Sequence, residues 1–137
     1  MTPATPQRGQ GWFAATPFRS ETERQSPDAL ILRLVGDIDI ATAEAALADI
    51  RRSVRPPARV LLLELSGVTF CSSSGLRVLV QAADLANEHG IDLRLVGAGR
   101  PVRRPMEVTG LGAHFLSFTS VAAALAYDRP SSAGDPG

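Results

Sequence analysis

At 137 residues with a single cysteine, the chain suits one domain whose core is large enough to fold without disulfides. One Cys and two His offer no structural zinc set, and fourteen basic residues, all Arg, balance fourteen acidic ones, so no global charge draws the chain to nucleic acid or a membrane surface. No apolar run reaches the roughly 18 residues of a membrane span, and the N-terminus lacks the regions of a signal peptide, which points to the cytoplasm.

Residues 1–16 are rich in Pro, Gly, Thr and Gln, and residues 129–137 in Pro, Ser and Gly. Both ends read as disordered, flanking one domain at 17–128. Trp12 and Phe13 stand out in the first segment, as a pair packed on the domain or exposed on it. Phe18 to Arg24 alternates loosely and predicts an edge strand. Ala29 to Val35 predicts a strand that Gly36 ends. A helix follows, capped by Asp39 or Thr42, with Ala43, Leu47, Ile50 and Val54 on one face and Pro56-Pro57 as its stop. Arg59 to Leu65 is a near-continuous apolar run, the mark of a strand buried on both faces.

After a short turn come Ser72, Ser73 and Ser74, then a helix to His89 with Leu76, Leu79, Val80 and Ala83 as its stripe and Gly90 beyond its end. Ile91 to Val96 predicts a strand and Gly97 to Pro101 a turn. Val102 to Val108 predicts a short helix, which Pro105 restricts to a start near Arg103 or Arg104. His114 to Phe118 predicts a strand, and Ser120 caps a helix to about Tyr127. The alternation implies a single α/β domain with a mostly parallel mixed sheet, about four helices and right-handed crossovers.

The serines sit where a helix presents unpaired N–H groups and a positive dipole end, so they read as caps and turn residues or as acceptors of an anionic group. Other chemistries fit less well. Gly97-Ala98-Gly99 starts a dinucleotide fingerprint, but Val102 stands where its third glycine belongs. Gly-x-Ser-x-Gly does not occur around the serines. His89 reads as a helix C-terminal cap and His114 has no evident partner, so no hydrolase triad and no enzyme is expected. Asp37 and Asp39 read as strand-end and capping carboxylates, insufficient by themselves for magnesium, so no metal or cofactor is expected. Cys71 reads as a buried thiol rather than a redox centre. Arg100, Arg103 and Arg104 form a basic cluster, a solvated face or a patch for an acidic partner.

Four stretches together resemble the STAS domain family, in particular bacterial anti-sigma factor antagonists. Gly36-Asp37-Ile38-Asp39 with Thr42-Ala43-Glu44 is similar to the family's Gly-Glu-Leu-Asp turn and helix start. Leu63 to Phe70 is similar to its central strand, Ser73-Ser74-Gly75-Leu76 to the Ser-Ser-Gly-Leu of its phosphorylation loop, and Glu107 to Leu111 to the Asp-Met-Ser-Gly-Leu near its third helix. The match spans roughly residues 18 to 127. It implies a protein that binds an anti-sigma factor, itself a serine kinase, and so releases a sigma factor. Phosphorylation of a loop serine, by alignment Ser73, ends the interaction, and a serine phosphatase restores it. The implied contact surface is built from the Asp37 to Thr42 turn, with Asp37, Asp39 and Thr42, from the loop Phe70 to Gly75, with Ser72, Ser74 and Gly75, and from the start of the second helix with Leu76 and Arg77, Leu76 being its apolar anchor if it faces out. The family's Asp before the target serine is replaced by Ser72. A constitutive scaffold or sensor module of the same fold, binding without phosphorylation, is the alternative.

Overall fold

The computed structural model describes residues 16–128, so the expectations for Trp12, Phe13 and the chain ends lie outside the described residues. Five strands form one sheet in the order β1-β2-β3-β4-β5. Strand β1 (Arg19–Ser26) pairs antiparallel with β2 (Ala29–Ile38). Strands β2, β3 (Val60–Cys71), β4 (Asp92–Val96) and β5 (Leu116–Phe118) run parallel. Helices α1 (Ala43–Ser53), α2 (Ser73–Glu88) and α3 (Arg100–Thr109) make the three crossovers, and α4 (Val121–Ala126) follows β5. The α/β order and the predominantly parallel sheet are as the sequence predicts.

Alternation along the strands divides the apolar residues between two layers. Leu32, Leu34, Leu61, Leu63 and Leu65 meet Ala46 and Ile50 of α1, Leu79 and Ala82 of α2, and Val102 and Met106 of α3 in the larger core. Ile31, Leu62 and Val96 point the other way and are covered with Ala124 of α4. The unbroken apolar run of β3 therefore serves both faces, and each fully buried Leu contributes about 1.5–3 kcal/mol.

Four local expectations are corrected. Gly36 does not end β2; it lies inside the strand with φ +100°, and a Cβ there would sit 2.1 Å from Pro17 O. No turn separates Leu65 from the serines, because β3 continues to Cys71, kept in step with β2 by register shifts on either side of Gly36. Helix α3 starts at Arg100, which puts Pro101 in its first turn, yet Pro105 remains inside. His114 ends a 3₁₀ turn (Leu111–His114) instead of opening β5.

The stripe of α2 is also rotated. Leu76 and Leu79 are buried as expected, but Val78, Ala82 and Ala86 complete the face, while Val80 and Ala83 are half-exposed. Val80 and Ala83 border a groove shared with the 3₁₀ turn and the start of β4. Buried Ala46, Ala82 and Ala86 are small residues at the α1 and α2 packing faces, and such residues let neighbouring backbones approach closely.

Candidate functional site

The carboxyl ends of β2 and β3 lie side by side, with Asp37 opposite Phe70 and Ile38 opposite Cys71. The pairing is extended by one more bond, in which Ser72 N donates to Ile38 O at 3.0 Å. This brings the Asp39–Thr42 turn beside the start of α2, although the two are some thirty residues apart in sequence.

The turn is closed by its own side chains. Asp39 Oδ1 accepts from Ala41 N at 3.0 Å and Thr42 N at 3.2 Å. Thr42 Oγ1 donates to Asp37 O at 2.8 Å and accepts from Asp39 N at 3.0 Å. Thr42 occupies the N-cap position of α1 but its side chain bonds no helical N–H, so both expected caps hold the turn rather than the helix. Asp37 is a strand residue. Its carboxylate accepts from Thr69 Oγ1 at 2.6 Å and from Thr16 N at 3.3 Å, tying three segments together.

The three serines divide into distinct environments. Ser72 is the N-cap of α2, its extended backbone aiming Oγ to accept from Gly75 N at 3.3 Å. The helix thus begins at Ser73, and of the three serines Ser72 is the cap. Ser73 is exposed on the first helical residue, and its hydroxyl makes no hydrogen bond among the described residues. Ser74 is half-buried.

Gly75 is buried, and a Cβ there would lie 2.5 Å from Ile38 O and 2.8 Å from Cys71 Sγ. Helix α2 can press against the strand ends only because this side chain is absent. Leu76 is 5% exposed and belongs to the larger core, so it faces in and cannot be a surface anchor. Arg77, one residue on, is exposed. Burial pushes the Cys71 thiol from 9.0 up to about 11, which keeps it protonated at neutral pH and leaves the serine edge without a reactive thiolate.

The exposed apolar residues of these segments are Ile40 and Phe70, in place of Leu76. Ile40 is 84% exposed at the tip of the turn and Phe70 is 51% exposed near the end of β3. The available signal was local: an isoleucine set among turn and capping residues has no helical or strand face to join. Phe70 follows Thr69 and precedes buried Cys71, so the pleat aims it away from the core.

The remaining candidates are separate from this edge chemistry. Arg100, Arg103 and Arg104 line a shallow hollow of about 120 Å³ together with Glu107, which partly neutralises them. Arg103 Nε donates to Ala98 O at 3.1 Å. His89 Nδ1 lies 3.0 Å from Leu85 O at the C-terminus of α2, as a capping imidazole would. Among the described residues no group of three or more His, Cys, Asp or Glu could hold a metal ion, and no helix is long and apolar enough to cross a membrane.

A four-stranded parallel sheet with one antiparallel edge strand, displaying a serine-capped helix start beside a closed turn, defines a small α/β domain built around a surface edge. The STAS domain family model matches residues 22–124, and the chain belongs to that family. It is 30% identical over 95 residues to the anti-sigma-F factor antagonist RsfB of Mycobacterium tuberculosis, covering 69% of this chain and 77% of that protein. The crystal structure of an anti-sigma factor antagonist from Mycobacterium paratuberculosis superimposes with a TM-score of 0.71 at 27% identity, over 80% of this chain and 92% of that one. The anti-sigma factor antagonist SpoIIAA in its unphosphorylated form shares the fold, with a TM-score of 0.65 at 18% identity over 78% of this chain and 93% of that one.

Proposed function

We propose that this chain is an anti-sigma factor antagonist, a cytoplasmic transcription regulator that docks on an anti-sigma factor through the Ile40, Phe70 and Ser73 edge and is released by phosphorylation of Ser73. One observation carries the reading: Ser73 is exposed, its hydroxyl makes no hydrogen bond among the described residues, and it follows directly on the Ser72 that performs the capping. The relatives named anti-sigma factor antagonists supply the class of partner.

The physics of the switch is local. A phosphate adds about −1.5 to −2 charge at pH 7. At a helix start the dipole accommodates that charge, so the fold survives, while an acidic or closely packed partner surface is repelled. Asp39, Ser74 and Arg77 supply polar rim contacts. Gly75 and Leu76 act from beneath, by seating α2, and Asp37 and Thr42 by shaping the turn. Ser72 in place of the family's aspartate keeps the N-cap filled, so its substitution leaves the acceptor in place. A serine kinase within the anti-sigma factor and a serine phosphatase complete the cycle.

Incubation with the cognate anti-sigma factor and ATP, read by intact mass, tests the acceptor: one added phosphate mapped to Ser73 is the expected result. Absence of modification, under conditions that phosphorylate a control antagonist, favours a constitutive scaffold. By calorimetry, Ser73→Glu is expected to lose complex formation with its melting temperature nearly unchanged, and equal affinity of both forms would sink the switch.

A further inference from the structure

The helices change sides of the sheet once. The residues that α1, α2 and α3 bury belong to the larger core, whereas Val121 and Ala124 of α4 pack in the smaller one. The segment leaving β4 therefore turns toward one face and the segment leaving β5 toward the other, although the two strands are parallel neighbours. A crevice opens outside the carboxyl ends of two such strands, the place where open α/β sheets take their ligands. Here it has a volume of about 500 Å³, within the roughly 300–1,000 Å³ of small-molecule pockets. Gly97 N donates to Phe118 O at 2.9 Å and ties the two departing segments together, and both residues line the crevice. None of the lining residues belongs to the α2 start or to the Asp39–Thr42 turn, so occupancy of the crevice is independent of the function proposed above.

The walls supply apolar surface from both layers. Met106 of α3 belongs to the larger core, Phe118 of β5 is half-buried against the smaller one, and Ala98 comes from the β4–α3 connection. Arg103 Nε donates to Ala98 O at 3.1 Å, which holds the guanidinium beside the crevice, and its two terminal nitrogens have no partner among the described residues. A planar fork of this kind matches a carboxylate. Glu107 also lines the crevice, but it shares the adjoining hollow with Arg100 and Arg104, so cations outnumber it and an anion is favoured. Arg103 is the one cation among the described residues that line the crevice itself, which suits a single carboxylate better than a doubly charged phosphate. We propose that this crevice binds a small carboxylic acid with an aromatic or branched aliphatic body. Its carboxylate pairs with Arg103, with the Ser117 and Thr119 hydroxyls as further donors, and its body lies against Met106 and Phe118.

The probe is 3-phenylpropanoate, titrated into the full-length chain and followed by backbone amide chemical shifts. Saturable shifts centred on Gly97, Ala98, Ser117 and Thr119 are expected. The neutral isostere 3-phenylpropanamide should bind about tenfold more weakly, for want of the charged pairing. Arg103→Gln should weaken binding of the acid by the same factor and leave the amide unaffected, whereas Arg104→Gln, in the adjoining hollow, should change the acid by less than about twofold. Thr119→Trp, which fills the crevice from an exposed position, should abolish binding of both with circular dichroism unchanged. Absence of saturable shifts, shifts centred elsewhere, equal binding of acid and amide, or equal losses in Arg103→Gln and Arg104→Gln overturns the proposal. So does a response to inorganic phosphate as strong as that to the acid. The comparison of acid with amide needs no substitution, so it decides the matter even where a variant fails to fold.

Discussion

Helices α2 and α4 open with the same local chemistry and lead to different surfaces. Each follows a serine in extended conformation whose Oγ accepts from the N–H three residues on, Ser72 from Gly75 at 3.3 Å and Ser120 from Ala123 at 3.0 Å. After Ser120 comes Val121, which packs on the smaller core. After Ser72 comes Ser73, exposed and with no hydrogen bond from its hydroxyl among the described residues. A serine at a helix start therefore identifies a cap, and only the residue behind it separates a candidate site from plain structure. Division of labour between neighbouring hydroxyls is what makes the α2 end suitable for modification: one maintains the helix and the other is spare.

That contrast can be broken by substitutions of decreasing expected effect. Leu76→Ala should cost about 3 kcal/mol in urea unfolding, as a core truncation does; a loss below about 1 kcal/mol would return Leu76 to the surface. Gly75→Ala should cost about 2 kcal/mol, because its methyl meets Ile38 O and Cys71 Sγ at distances no relaxed contact allows. Ser72→Ala and Ser120→Ala should each cost about 1 kcal/mol, and a large inequality would mean that the two caps are not equivalent. Ser73→Ala should stay within about 0.5 kcal/mol of the parent while removing phosphate incorporation, the reverse of Ser120→Ala.

A subtler comparison uses the thiol under the α2 start. Cys71 is raised to about 11 in the folded chain, against 9.0 as its ordinary value. The folded state holds the proton more tightly, so this group's contribution is complete below about pH 9 and declines as pH rises from about 9 to 11. At pH 8 the native protein should react with a disulfide reagent far more slowly than the unfolded chain. Equal rates would mean that the α2 start opens readily.

Much of this architecture is readable from residue patterns. The apolar run at Leu61–Leu65, the Ala29–Val35 strand and the serine caps follow from alternation and from the side chains that helix ends require. The misread parts lie where tertiary contacts override local signals. Gly36 and Gly67 look like strand breakers, yet both are interior to long strands, where the Pro17 backbone leaves no room for a side chain on Gly36 and a Cβ on Gly67 would lie 2.9 Å from Val35 Cγ2, so that Val35 would have to shift. The orientation of α2 depends on what it packs against: α1 and α3 on its flanks bury Val78, Ala82 and Ala86, and the wider groove by the 3₁₀ turn leaves Val80 and Ala83 half-exposed. In the candidate site the serine loop and the Asp37–Thr42 turn were legible as a pair. The inward aim of Leu76 was not, because a helix shows its buried side only once its neighbours are known.

Arg94 has a consequence for how the molecule opens. It is buried in the sheet, paired with Asp92 at 2.8 Å, and its guanidinium reaches the carbonyls of Ala124 and Tyr127. Helix α4 has six residues, too few to persist in water by itself, so its register is borrowed from this cation, from the Ser120 cap and from the packing of Val121 and Ala124. The amides of α4 should accordingly exchange with solvent as a single early-opening unit, well before those of β3. On this expectation the cover over Ile31, Leu62 and Val96 opens first on one side of the sheet, and the larger core that seats α2 opens last.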